Sequence, residues 1–65
     1  MKVTCDSKVD VLRILFRDAP IEESDEDKPG VILDYEKDWN VVGLEVLNAS
    51  QRVENPRRVE YAVTA

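Results

Sequence analysis

Histidine is absent from this chain, and cysteine occurs once. Losing histidine removes the commonest general base and metal ligand. Ser-His and Cys-His nucleophile pairs go with it, as do most zinc sites. A lone Cys5 cannot form an internal disulfide; a small core or half-buried thiol is expected. Two glycines, Gly30 and Gly43, are too few for a glycine-rich phosphate loop. No segment approaches the roughly 20 apolar residues of a membrane span, and no charged-then-apolar N-terminus marks a signal peptide. A cytoplasmic protein with no membrane partner is expected. Basic charge is also scarce: 9 Lys and Arg stand against 14 Asp and Glu, for a net charge of −5. The excess is concentrated in residues 18–40, which hold nine acids against Lys28 and Lys37. Phosphate contacts dominate nucleic-acid affinity, and no basic stripe is present to make them.

What is present suffices for a small folded unit. About 43% of the 65 residues are apolar, too many for a disordered chain. A single domain spanning 1–65 lies near the lower limit at which one core supports folding. With no disulfide available, self-association is the expected source of the missing stability, so a homodimer is predicted.

Residues 30–47 organise the rest. Two β-rich runs flank the polar tetrapeptide Lys37–Asn40, the pattern of a hairpin. Strand alternation puts Val31, Leu33 and Tyr35 on one face, and Val42, Leu44 and Val46 on one face of the return strand. Pairing Leu33 with Leu44 and Tyr35 with Val42 joins these sets and leaves a four-residue loop suited to a type I turn. A two-residue Trp39-Asn40 loop is disfavoured because Trp tolerates positive φ poorly.

Upstream, residues 2–5 read as a strand, Asp6–Lys8 as a turn, and Val9 to Arg17 as a second strand closed by Pro20. Five acids between Ile21 and Asp27 read as solvated loop or, by preference, as an edge strand whose charges block edge-to-edge pairing. Lys28-Pro29-Gly30 turns into the hairpin. Downstream, Asn48 reads as the cap of a short helix over residues 49–53, with Gln51 reaching back, and Asn55-Pro56 stops it. Residues 57–65 fit a strand through Val59, Tyr61 and Val63, or a helix capped by Asn55. The strand is favoured, since Arg57 and Arg58 would oppose a helix dipole. The predicted fold class is mainly β: a small antiparallel β-meander of 4–6 strands with one short C-terminal helical segment.

The runs Met1–Asp6, Val9–Phe16, Gly30–Tyr35, Val42–Leu47 and Ala49-Ser50, taken in order, resemble a widespread prokaryotic family of small proteins catalogued as a domain of unknown function. That family's hairpin reads Gly-Val-x-x-Asp-Tyr, then Val-Gly-Ile-Glu-Ile-Leu. The resemblance covers about residues 1–53. Cys5 and Arg13 stand where Tyr is usual, and Trp39 stands where the loop usually has Gly. The resemblance implies a small antiparallel sheet with a short helical segment near the C-terminus, and it implies no catalytic residues. Some relatives are encoded beside small nuclease-like proteins in the manner of toxin–antitoxin pairs, which implies a small basic nuclease-like partner.

Several residues have chemistry to weigh. Asp25–Glu36 places acids at positions 1, 3 and 12 of a calcium loop, with Gly at position 6. Pro29 offers no side-chain oxygen at position 5, and strand replaces the required helix, so no metal site is expected. Asp34 and Glu45 share the face opposite the hairpin's apolar rows; they read as solvated, with a catalytic acid–base pair or an interface contact as the alternatives. Gly43 reads as a packing or bulge position. Trp39 either folds back over the sheet or anchors a second chain. Arg52, Arg57 and Arg58 are solvated or meet the acidic segment of a neighbouring subunit. The interface candidates are Trp39, Glu22, Glu23, Asp25, Glu26, Asp27, Arg57 and Arg58. Together these readings describe a non-enzymatic interaction module, homodimeric and antitoxin-like, without cofactors. The alternative is a carboxylate-based metal or small-ligand binder or enzyme.

Overall fold

The computed structural model describes all 65 residues. Five strands form one antiparallel sheet: β1 (Lys2–Asp6), β2 (Val11–Leu15), β3 (Glu23–Lys28), β4 (Val31–Tyr35) and β5 (Val41–Leu47). A single turn of helix, α1 (Ala49–Arg52), follows. The strand order is β1-β2-β5-β4-β3, so the β1–β2 hairpin joins the β3–β4–β5 unit through β2 against β5. A mainly β, antiparallel sheet with one short helix is thus what the chain forms. The acidic run is an edge strand, as its charge suggests, and β1 is the other edge.

The central hairpin keeps the expected pairing of Leu33 with Leu44 and runs in step from Val31–Val46 to Asp34–Gly43. Nearer the loop it slips: Tyr35 pairs with Val41, where Val42 was expected, across a bulge. The cause is the turn. Glu36 N–H bonds Asn40 O at 3.0 Å and Trp39 N–H bonds Glu36 O at 2.9 Å. The loop therefore has three residues, a type I turn followed by a left-handed residue. That residue is Trp39, at φ 66°. The reluctance of Trp to take positive φ is overcome here. The extra residue, Val42, is fully buried, and its carbonyl accepts the Phe16 N–H at 2.7 Å.

Two sequence expectations fail at the C-terminal side. Asn48 makes no side-chain cap; it sits in the left-handed region at φ 54°. Asp10, 40 residues before Ser50, does the capping. Its carboxylate accepts Ser50 N–H at 3.0 Å and Ser50 Oγ at 2.6 Å, and its carbonyl accepts Ala49 N–H at 2.9 Å. The strand expected from Val9 accordingly begins only at Val11, because Asp10 has turned to φ 58°. Residues 57–65 form neither strand nor helix. Asn55 instead closes a turn, accepting Arg57 N–H at its side chain and Arg58 N–H at its carbonyl. Beyond it Val59, Tyr61 and Val63 lie exposed, with no neighbouring strand to align them.

The registers sort the sheet into two faces. One carries two aliphatic rows, Val3–Ile14–Leu44–Leu33 and Cys5–Leu12–Val46–Val31, each ending on β3 at a charged residue, Asp25 or Lys28. The other carries Thr4–Arg13–Glu45–Ile32–Glu26 and Lys2–Leu15–Gly43–Asp34–Ser24. No further sheet or long helix packs on the aliphatic rows; α1 and the residues after it reach only one end of that face, with Arg52 against Gly30 and Asn55, Pro56 and Arg57 near Cys5. Leu12, Val42 and Ala49 are the only buried apolar residues apart from glycine.

Candidate functional site

The polar face holds the most unusual chemistry of the molecule. Asp34 is 1% exposed, where alternation alone left it solvated. Two neighbours explain the burial. Ser24, across from it on β3, donates its hydroxyl to Asp34 Oδ1 at 2.6 Å. Gly43, across from it on β5, brings no side chain, and Leu15 lies over that gap. A Cβ built on Gly43 would stand 3.6 Å from Leu15 Cδ1 and 2.7 Å from the Ile14 carbonyl oxygen. Gly43 is therefore a packing position where β2 and β5 approach closely.

Asp34 Oδ2 is buried without a donor. Diagonal to it stands Glu45, which pairs with Ile32. Partial burial pushes the Glu45 carboxyl above its ordinary value, the neighbouring Asp34 carboxyl pushes it the same way, and Arg13 draws it back. A buried acid beside a second acid favours the protonated form.

The hairpin tip is a second ordered cluster. Glu36 accepts Asn40 Nδ2 at 2.8 Å and Asp38 N–H at 3.1 Å. The Asn40 amide is the main reason its carboxyl lies below the ordinary value. Trp39 is 62% exposed, and its ring meets Tyr35 edge-on with centroids 5.7 Å apart. Trp39 thus leans on its own hairpin while leaving most of its surface free.

The other candidates are not brought together. Glu22, Glu23, Asp25, Glu26 and Asp27 are all exposed along the β3 edge. Glu26 has a local duty as well: its carboxylate accepts Gly30 N–H at 3.0 Å and closes the turn into β4. Arg57 borders an open depression that also involves Cys5 of β1, at the far edge of the sheet from β3. Arg58 borders another, with Glu54, Asn55 and Glu60. No acidic or thiol cluster of three or more could hold a metal ion. The calcium-loop positions are split between β3, the Gly30 turn and the hairpin tip. No helix is long and apolar enough to cross a membrane.

Sequence reasoning missed Asp10 as the helix cap and Asp34 as a buried group. The positions of Gly43 and Ser24 were the available signals for Asp34, since both stand opposite it in the register.

Comparison with known proteins places residues 2–50 within a family described as Protein of unknown function (DUF2283). No curated protein and no solved structure matches the chain.

Proposed function

The chain belongs to the DUF2283 family of proteins of unknown function, and from that premise we propose that it is a non-enzymatic protein-interaction module. Its first partner is a second copy of itself, docked on the aliphatic face of the sheet. One observation carries this reading: most of the two aliphatic rows remain only half-buried on a single sheet, and Val3 is exposed. Domains ordinarily bury such a face against another element. Here only Leu12 on those rows is buried, and Val3 is 40% exposed. A two-fold pairing would set each copy's rows against the other's.

Light scattering on the purified chain tests this, with Leu44→Lys in the aliphatic face and Thr4→Lys on the polar face. Wild type and Thr4→Lys should have twice the 7.4 kDa chain mass. Leu44→Lys should fall to the monomer while keeping its strand circular dichroism. A wild-type monomer at every concentration would overturn the reading.

The exposed acids of β3 favour a second, more specific role, antitoxin-like capture of a small basic nuclease-like protein. Like charges on an edge strand repel other strands but attract a basic groove, and such steering weakens with salt. Co-expression should give a complex that loosens as salt rises and when Glu22, Glu23, Asp25, Glu26 and Asp27 are neutralised. A complex indifferent to salt would end that role.

A further inference from the structure

We propose that Asp34 and Glu45 form a proton-sharing acid pair, in which Glu45 carries the proton and donates it to Asp34 Oδ2. The pair lies on the polar face and does not rest on self-association.

Two independent features of the geometry converge on it. First, Asp34 is almost wholly buried, its Oδ1 is taken by Ser24, and its Oδ2 has no donor among the neighbouring groups. A buried charge with one oxygen left dry is costly, so a donor at that oxygen is strongly favoured. Second, the register sets Glu45 diagonal to Asp34 across β4 and β5, and Gly43 interposes no side chain. Two carboxyls in this relation resist both being ionised, and retaining one proton converts repulsion into a hydrogen bond.

The charged groups around Glu45 allow this. Arg13 faces it from β2 and Asp34 from β4. Glu26 of β3 stands beyond Ile32 in the same row, and Lys2 and Asp6 of β1 stand in the flanking rows. Arg13 is the one cation directly opposite Glu45, and it is exposed to water, which weakens its pull. The raised Glu45 value is the expected companion of such a pair.

The sign of the pH effect follows. The folded chain holds the proton more tightly than the unfolded chain, so the pair's contribution is complete in acid. It is lost as pH rises through the folded Glu45 value. Glu45→Gln supplies an amide N–H to Asp34 at every pH and should be free of that loss.

The experiment combines thermal unfolding with carboxyl-carbon NMR of the full chain, from about pH 3 to about pH 8, so that the ordinary glutamate range lies inside the titration. Wild type should lose melting temperature with rising pH relative to Glu45→Gln. The Glu45 carboxyl should titrate above the ordinary glutamate range and return to it in Asp34→Asn. If Asp34→Asn does not fold, the wild-type titration and the Glu45→Gln comparison still decide. An ordinary Glu45 titration, or parallel melting profiles for wild type and Glu45→Gln, would overturn the proposal. So would calcium or magnesium raising the wild-type melting temperature at the alkaline end but not that of Glu45→Gln, since a metal ion would then be the occupant.

Discussion

Single residues decide where this sheet bends and what it hides. Trp39 occupies a left-handed turn position that a residue without Cβ takes freely, at a cost of about 1–2 kcal/mol for an L side chain. It recovers part of that cost through its edge contact with Tyr35, an arrangement worth roughly 0.5–1.5 kcal/mol. Trp39→Ala keeps the strain and loses the ring, so urea unfolding should find it less stable than Trp39→Gly by about 1 kcal/mol. Equal stabilities would show that the turn is not strained. Gly43 presents a harder limit. A methyl group there meets the backbone oxygen of Ile14, which cannot swing aside, so Gly43→Ala should cost at least about 1–3 kcal/mol. The Glu36 carboxyl at the tip works in the opposite pH direction from Glu45. Its lowered value means that the tip's contribution is present at neutral pH and lost in acid. Asn40→Ala should return the Glu36 titration toward ordinary values by NMR. Alternation placed Asp34 on the correct face but said nothing of its burial. That burial comes from Ser24, ten residues away, and from Leu15 leaning over Gly43 on a strand much earlier in the chain.

At the level of elements, local signals were readable and contacts between distant segments were not. The β3–β4–β5 unit was legible because turn residues punctuate it and aliphatic residues alternate along β4 and β5. The acidic strand was legible from its charge. The helix cap was misassigned because Asn48 has the right chemistry at the right spacing, yet β5 delivers the chain end to the Asp6–Asp10 turn, where a carboxylate already waits. Asp10→Ala should cost about 0.5–2 kcal/mol and speed amide exchange at Ser50 to Val53, whereas Asn48→Gly should be tolerated. Unchanged exchange in Asp10→Ala would remove Asp10 from its capping role. On β3, replacing Glu23, Asp25 and Asp27 with threonine should expose a ladder edge no longer guarded by charge. Dynamic light scattering should then detect higher-order species in the triple variant and not in wild type.

At the scale of the whole molecule, an open aliphatic face is the feature that most needs an explanation. The strand order puts β5 at the centre between β2 and β4, so four strands contribute to one continuous apolar surface, most of which remains only half-buried. The sequence pattern showed these rows and the shortage of stapling devices, but it could not show which strands would be neighbours across the β2–β5 join. The polar face keeps its acids apart from that surface, so self-association and the carboxyl pair can be tested separately. Sedimentation equilibrium of the wild-type chain over a wide concentration range addresses the open face most directly. A dimer of twice 7.4 kDa, dissociating on dilution, is the expected result. A single 7.4 kDa species at the highest concentration would mean that the aliphatic face stays in water, contradicting the proposed mode of action.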